Sequence, residues 1–291
     1  MSWSVGAGLE GKGVIVTGAA GGIGRAVATA FAVTGAKVMA VDLDQAKVDE
    51  VVAGLEGSGH LGVTADLRDL STHQGLVDRA RSELGNLYVL ANLAAVLRRR
   101  GSVDEVTEDD WDFQHDINLK AAFFLCRAAG DAMIEQGQGG RIITFSSQGW
   151  WTGGFGGSVV YAATKGGVVS LTRGLARTYA PDGITVNAIA PGAVDTAMLR
   201  DDLDPAQLDK PFLDFRRWPL AGATAPEKHL LRIRIKGKYP QWSYWMQMTF
   251  TAPVPWEADA FYAQPGMAAA GLSLDRWPTG TGPFMVTEWE Q

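Results

Sequence analysis

Two kinds of segment alternate along the chain from Val14 to Ala190. Short runs rich in β-branched and apolar residues predict strands at residues 14–16, 37–41, 61–63, 88–91, 141–145 and 184–189. The segments between them, such as 23–34 and 74–84, carry apolar residues at three- and four-residue spacing and predict helices. This alternation indicates βαβ units. The predicted fold class is therefore α/β, a doubly wound parallel sheet that binds ligands at the carboxyl ends of its strands.

The charge balance limits the possible partners. A net charge of -6 argues against a nucleic-acid or anionic-membrane surface, because both need clustered positive charge. The one basic run, Arg98–Arg100, is either a solvated loop or a contact for phosphate or an acidic substrate. The N-terminus lacks the pattern of a signal peptide, and no apolar run approaches the ~18 residues of a membrane helix. A cytoplasmic protein is expected.

Cys126 is the only cysteine of the chain, which excludes an intramolecular disulfide and a cysteine-based metal site. It lies in the apolar run 121–126, where we expect a buried and inert thiol. No metal site is predicted.

A glycine-rich turn follows the first predicted strand and opens the first predicted helix. Its segment Thr17–Gly24 contains Gly18, Gly22 and Gly24. Glycines lack Cβ atoms and let the backbone approach a pyrophosphate, to which a helix N-terminus offers N–H donors and partial positive charge. In this context the glycines predict a dinucleotide-binding loop, although a plain tight turn would also explain them.

Two aspartates follow the next two predicted strands. Asp42 ends the second strand, where a carboxylate accepts from the adenosine ribose hydroxyls and repels a 2′-phosphate, so NAD is favoured over NADP. The alternative is a simple strand-ending residue, and the nearby cation Arg25 can soften the discrimination. Asp66 follows the third strand, where it either binds the adenine amino group or starts a helix.

Tyr161 and Lys165 are four residues apart, which places them on one face of a helix predicted within 158–179. An ammonium group and a cationic nicotinamide ring both favour the phenolate, so Tyr161 can exchange a proton with an alcohol or carbonyl oxygen. Ser147 follows the strand 141–145, where its hydroxyl can polarise the substrate oxygen. Asn118 lies in a predicted helix and, taken alone, would be a surface residue.

Together these residues resemble the short-chain dehydrogenase/reductase family over residues 9–227. Residues 17–24 match the TGxxxGxG loop, 161–165 match YxxxK, and 187–192 match the segment that lines the nicotinamide pocket. The resemblance implies a Rossmann fold that binds NAD(P). It implies that an asparagine holds a proton-relay water and that the lysine also binds the nicotinamide ribose. The implied catalytic tetrad is Asn118, Ser147, Tyr161 and Lys165.

Cofactor contacts are also predicted beyond the three glycines, Asp42 from its position after the second strand and the others from the resemblance. These are Ile23, Asp42, Asp66, Leu67, Asn92, Tyr161, Lys165, Pro191, Gly192, Val194 and Thr196. The last two would contact the nicotinamide carboxamide. The implied substrate is a small alcohol or ketone, and the family tends to form homo-oligomers.

Two departures from the family pattern lie near the predicted site. Where the family usually has NNAG, residues 92–95 read Asn-Leu-Ala-Ala. The interval from Ser147 to Tyr161 is one residue longer than the common spacing, and its loop carries Trp150 and Trp151. We expect this loop to shape the substrate pocket. Packing or an oligomer contact is the alternative for the two tryptophans.

The family pattern stops near residue 227. Its final helix and strand are not recognisable, and residues 229–291 instead resemble an internal stretch of the bacterial extracellular solute-binding proteins of peptide ABC transporters. We therefore divide the chain into a truncated Rossmann domain, 1–225, and an irregular foreign segment, 226–291, with a strand predicted at 231–235. A sheet without its final strand exposes an edge and an apolar face, which predicts reduced stability and puts oligomer formation in doubt.

The preferred hypothesis is an oxidoreductase that transfers a hydride between NAD(H) and a secondary alcohol or ketone, with Tyr161 as general acid/base. A chimeric protein that binds the cofactor without turnover is the alternative, and a solute-binding module is a weaker one. Pocket side chains carry the choice of substrate, and no motif encodes it.

Overall fold

A computed structural model describes residues 8–154, 156–192, 194, 196–200, 223–227 and 230–233. The chain divides into two units, Met1–Leu208 and Asp209–Gln291, and strands alternate with helices through the first. Its strands are β1 (Gly13–Thr17), β2 (Lys37–Asp42), β3 (Leu61–Thr64), β4 (Val89–Asn92), β5 (Gly140–Phe145) and β6 (Ile184–Ile189).

The helices of this unit lie between and after the strands. They are α1 (Gly22–Val33), α2 (Gln45–Ala53), α3 (Thr72–Leu84), α4 (Glu108–His115), α5 (Ala122–Gln136), α6 (Gly149–Thr152), α7 (Val159–Tyr179) and α8 (Ala197–Arg200). Short 3-10 turns lie at Val103–Glu105, Gly156–Ser158 and Ala180–Asp182, and a π-helical turn lies at Asp116–Ala121. None of the described helices combines the length and the apolar character that crossing a membrane requires.

The six strands form one parallel sheet in the order β3-β2-β1-β4-β5-β6. The predicted parallel sheet with flanking helices is confirmed, and each strand lies within one residue of its predicted bounds. The strand order reverses between β1 and β4. The connections that leave these two neighbours therefore run in opposite directions, and a crevice opens beyond their carboxyl ends.

Successive residues of the central strands enter opposite halves of the core. Ile15 of β1 packs with residues from α3, α5 and α7, whereas Val14 and Val16 pack with residues from α1 and α2. Side chains of a strand point alternately to its two faces, and helices cover both faces of this sheet. For this reason the strands are continuous apolar runs in the sequence rather than alternating ones.

The buried thiol predicted at Cys126 is confirmed. The side chain is fully buried in α5, and burial raises the pKa of the thiol to about 12, although a hydrogen bond from Asn92 opposes the rise. A thiol that stays protonated is a poor nucleophile, so Cys126 contributes packing rather than chemistry.

In the second unit the described residues form an antiparallel pair of strands, β7 (Ala223–Glu227) and β8 (Leu230–Ile233). β8 overlaps the strand predicted at 231–235, and Arg234 and Ile235 lie outside the described residues. Residues 234–291, most of the segment that resembles a solute-binding protein, also lie outside them. The foreign segment and the missing final strand and helix therefore stay predictions.

The start of β1 predicts a matched pair of glycine variants. A Cβ atom at Gly13 would lie 1.9 Å from the backbone oxygen of Asn86, whereas one at Gly75 in α3 would meet nothing within 4 Å. Gly13→Ala should destabilise the protein by about 1–3 kcal/mol, because a backbone atom cannot move aside as a flexible side chain can. Gly75→Ala should stabilise it by about 0.5–1 kcal/mol through helix propensity. Denaturant titrations measure both, and equal effects would contradict the packing described at Gly13.

Candidate active site

A cavity of about 910 Å³ lies along the carboxyl ends of the parallel strands. Its volume falls within the ~300–1,000 Å³ typical of small-molecule and cofactor sites. It brings together most of the residues that the sequence predicts for the site. Those in its wall are Gly18, Gly22, Ile23, Gly24, Asp42, Asp66, Leu67, Ser147, Tyr161, Lys165, Pro191, Gly192, Val194 and Thr196.

Three glycines of the turn between β1 and α1 lie where a side chain would be crowded or strained. Gly18 has φ 65, and a Cβ atom there would lie 3.0 Å from the Ala94 backbone. At Gly24 a Cβ atom would lie 2.0 Å from the oxygen of Gly18, and at Gly22 it would lie 2.8 Å from Cγ2 of Thr196. The first turn of α1 thus borders the cavity with bare backbone, and this cradle fits the pyrophosphate of a dinucleotide.

The carboxylate of Asp42 is anchored beside this turn. One oxygen accepts from the amide of Ala20 at 2.9 Å and the other from the amide of Leu43 at 2.7 Å. Both oxygens keep free lone pairs, and the side chain lines the cavity. This carboxylate is therefore placed to accept hydrogen bonds from a ribose diol.

Asp66 and Leu67 follow β3 at the same end of the cavity. Arg68 binds the carboxylate of Asp66 through Nε and Nη2, and this hydrogen bonding lowers the pKa of Asp66. The carboxylate is thus ionised and remains an acceptor at neutral pH. Leu67 also packs into the core cluster on one face of the sheet.

Tyr161 and Lys165 lie on α7, one turn apart, and both face the cavity. The Nζ atom of Lys165 donates to the oxygen of Phe145 at 2.8 Å and lies 5.6 Å from the centroid of the Tyr161 ring. Burial lowers the pKa of Lys165 to about 8. The ammonium group and the phenol are therefore held together at the end of β5.

The sequence analysis expects the phenolate of Tyr161 to be favoured, whereas in the structure the pKa of the phenol is raised. Burial raises the pKa of the phenol, and a hydrogen bond with Ser147 lowers it by less. The effect of burial dominates because the surrounding protein removes water from the phenol. Ser147 also accepts from the amide of Gly149 at 3.1 Å, so its hydroxyl is fixed beside the phenol.

Asn118 is not a surface residue, contrary to what its isolated sequence position suggests. It lies in the π-helical turn between α4 and α5 and is 1% exposed. Its Oδ1 accepts from the amide of Val96 at 2.8 Å, and its Nδ2 donates to the oxygen of Val96 at 2.9 Å and to Thr164 at 3.2 Å. The side chain lies behind the cavity wall and joins the segment after β4 to α7.

Asn92 also lies behind the wall rather than in it. Its Oδ1 accepts from the hydroxyl of Thr17 at 2.8 Å, and that hydroxyl accepts from the amides of Leu93 and Ala94. Sequence reasoning missed the role of Thr17, which is fully buried at the end of β1. A hydroxyl at the last position of a central strand, where the core is otherwise apolar, is the signal that could have revealed it.

The loop with two tryptophans contributes backbone and small side chains to the cavity. Gln148, Gly149, Thr152 and Gly154 line it, whereas neither indole does, and Trp151 is 45% exposed. The two indole rings contact each other edge to face at 5.3 Å. The loop thus shapes the pocket, as expected, but through residues other than its two tryptophans.

Comparisons with known proteins place this geometry among dehydrogenases. The family model for short chain dehydrogenases matches residues 12–206. The chain is 35% identical over 217 residues to 2-dehydro-3-deoxy-D-gluconate 5-dehydrogenase of Dickeya dadantii, which covers 73% of this chain and 84% of that protein. It is 38% identical over 192 residues to D-threitol dehydrogenase of Mycolicibacterium smegmatis, and this match covers 65% of this chain and 73% of that protein. The solved 3-ketoacyl-(acyl-carrier-protein) reductase of Brucella melitensis with NADH is 32% identical, with a TM-score of 0.63 over 66% of this chain and 80% of that one.

The buried ammonium group predicts a pH-dependent stability difference. The pKa of Lys165 falls from its usual 10.5 to about 8 in the folded protein, so the unfolded chain binds more protons between these values. The contribution of Lys165 to stability therefore improves as pH rises from 8 to 10.5. In Lys165→Met the difference in unfolding free energy, variant minus wild type, should fall on the order of 3 kcal/mol over this range. Denaturant titrations at stepped pH measure it, and a constant difference would contradict the burial.

Proposed function

Because the chain belongs to the short-chain dehydrogenase family, enzymes that act on CH–OH groups, we propose that it transfers a hydride between NAD(H) and a secondary alcohol or ketone. One observation carries the proposal. A continuous cavity holds the glycine turn and Asp42 together with Tyr161 and Lys165. One part of it fits a dinucleotide, and another offers a group that can donate or accept a proton.

The residues that would hold the cofactor follow from their places in the wall. The backbone of Gly18–Gly24 would bind the pyrophosphate, Asp42 the adenosine ribose, and Asp66 with Leu67 the adenine. Lys165 would bind the nicotinamide ribose, beside the segment that carries Pro191, Gly192, Val194 and Thr196. When bound, the nicotinamide accepts a hydride from an alcohol or returns it to a ketone.

Tyr161 exchanges the proton of the reaction. In the oxidation, the phenolate oxygen takes the proton of the substrate hydroxyl while the carbinol carbon loses a hydride, so the alcohol becomes a ketone. In the reduction, the phenol returns the proton to the carbonyl oxygen. Burial opposes the phenolate, so the nearby Lys165 and the hydrogen bond to Ser147 are needed to make it accessible.

Ser147 and Asn118 have supporting roles in this proposal. The hydroxyl of Ser147 polarises the substrate oxygen from its fixed position beside the phenol. Asn118 positions the segment that begins at Val96 and holds the proton-relay water that the family resemblance implies.

Charges around Asp42 support NAD rather than NADP. The carboxylate would repel a 2′-phosphate, and Arg25, which could offset it, ion-pairs with Glu50 at 3.5 Å and does not line the cavity. Lys47 does line the cavity, but it pairs with Asp44 at 3.5 Å. Arg68 also lines the cavity and pairs with Asp66, so Asp42 is left as a carboxylate without an ion-pair partner among the described residues.

The substrate in this proposal is a small molecule with a secondary hydroxyl or carbonyl group. Similarity to enzymes named for 2-dehydro-3-deoxy-D-gluconate and D-threitol supports a hydroxylated compound of that size. Homo-oligomers, a cytoplasmic location and a foreign origin of residues 229–291 rest on the sequence alone and stay predictions.

Removal of the phenol hydroxyl tests the proton transfer. Tyr161→Phe should lower NADH formation from a responsive secondary alcohol by at least about 10²–10⁴-fold, because Tyr161 is the only phenol in the described part of the cavity wall. NADH binding, measured by quenching of tryptophan fluorescence, should be retained. Turnover that survives in Tyr161→Phe would contradict the role of Tyr161 as general acid and base. A wild-type protein that binds NADH but converts nothing in a broad panel of alcohols and ketones would support the inactive alternative.

Replacement of Asp42 tests the choice of cofactor. Asp42→Ala should lower kcat/KM for NAD by about 10- to 100-fold, because charged hydrogen bonds to the ribose are lost, and it should raise activity with NADP. Glu135→Ala is the matched control, since it removes an exposed carboxylate outside the cavity and should leave the NAD to NADP ratio unchanged. An unchanged ratio in Asp42→Ala would contradict the assignment.

A further inference from the structure

The three consecutive arginines after β4 have different environments. Arg100 binds Asp110 through Nε at 2.8 Å and Nη2 at 2.6 Å, and Arg98 reaches the same carboxylate at 3.2 Å. Asp110 is 1% exposed, and these hydrogen bonds hold its pKa well below its usual range. The guanidinium groups on either side of Arg99 thus serve the structure of α4, and the run is not a fully solvated loop.

Arg99 lines the cavity instead. Its Nη1 atom is buried and has no hydrogen-bond partner, and no carboxylate among the described residues pairs with its guanidinium group. Buried donors are nearly always satisfied, and one that carries charge is costly to leave alone. Such a donor in the wall of a binding cavity indicates that its acceptor belongs to a ligand.

The other cationic side chains of the wall already have partners. Lys47 pairs with Asp44, Arg68 pairs with Asp66, and Lys165 donates to the backbone oxygen of Phe145. Lys165 and Arg99 are thus the two cations of the described wall without a carboxylate partner, and of these two Arg99 has the buried donor without a hydrogen-bond partner. Arg99 shares the cavity with Ser147 and Tyr161.

The position of Arg99 is fixed from both sides. Before it, the backbone of Val96 exchanges two hydrogen bonds with Asn118, and the amide of Arg98 donates to Oε1 of Gln114 at 3.2 Å. After it, the Arg100 backbone packs so closely on Gly157 that a Cβ atom there would lie 2.6 Å from the Arg100 Cα. The backbone that carries Arg99 is therefore ordered before binding, so no loop has to be ordered when the side chain takes a ligand.

We propose that Arg99 binds a carboxylate group of the substrate, so that the enzyme acts on a hydroxy acid or the corresponding oxo acid. This inference rests on the proposed function, because it places the carboxylate in the same molecule as the reacting CH–OH group. The planar guanidinium fork matches two carboxylate oxygens, and one uncompensated positive charge matches one monoanion. Burial of Nη1 strengthens the pair by excluding water.

Equilibrium binding tests the carboxylate site without requiring turnover. Titration calorimetry on the full chain saturated with NADH compares D-gluconate, 3-hydroxybutyrate and lactate with the amide of each. At least one carboxylate should bind at least 10-fold more tightly than its amide. Arg99→Gln should weaken that carboxylate by about 10- to 100-fold and leave the amide unchanged, and Arg99→Lys should retain part of the preference.

Arg25→Gln is the matched control, because it removes one positive charge outside the cavity and should leave carboxylate binding unchanged. A panel in which no carboxylate is preferred over its amide, or equal binding in wild type and Arg99→Gln, would overturn the proposal. So would a loss of NADH affinity in Arg99→Gln without carboxylate, because the guanidinium would then serve a cofactor phosphate.

Turnover of the same panel separates this inference from the proposed function. If carboxylates bind in a way that depends on Arg99 but no NADH forms, the proposed hydride transfer is contradicted and the carboxylate site is supported. If neutral alcohols are turned over equally well by wild type and Arg99→Gln, and acids are not preferred, the hydride transfer is supported and the carboxylate site is overturned.

Discussion

The hydroxyl of Thr17 joins the two strands between which the cavity opens. It donates to Asn92 at the end of β4 and accepts from the next two amides of the chain, those of Leu93 and Ala94. The Thr17 side chain is fully buried, where an unpaired polar group would be costly. They hold the segment after β4 against the glycine turn at a distance that leaves no room for a side chain at Gly18. The bare backbone that suits a pyrophosphate depends on this contact.

The same segment then connects the two ends of the cavity. Val96 is held by Asn118, and the residues that follow are held by Gln114 and Asp110. Asn118 also donates to Thr164 on α7, which precedes Lys165 in the sequence. One set of buried polar side chains thus positions the glycine turn, the phenol and the free arginine relative to one another, although few of these side chains line the cavity themselves.

Several charged side chains of the cavity wall are paired with one another. Lys47 pairs with Asp44 and Arg68 pairs with Asp66, whereas neither Asp42 nor Arg99 has an ion-pair partner among the described residues. A polar adenosine ribose suits the carboxylate of Asp42, and an additional phosphate does not. An anionic substrate suits the arginine. The protein as a whole is acidic, so an exposed anion gains little from its general surface, and a local cation is needed to bind one.

The sequence by itself determined the elements and their class, because strand and helix propensities are local. The apolar runs predict each of the six strands, and the spacing of Tyr161 and Lys165 already places them on one helical face.

Tertiary structure alone decided what surrounds each side chain. Asn118 is buried because the helix widens into a π-turn against Val96, and Arg99 faces the cavity because α4 brings Asp110 to its two neighbours. The pKa of Tyr161 is raised because distant segments exclude water from it. Burial and ion pairing are sums over residues far apart in the chain, and no local pattern contains them.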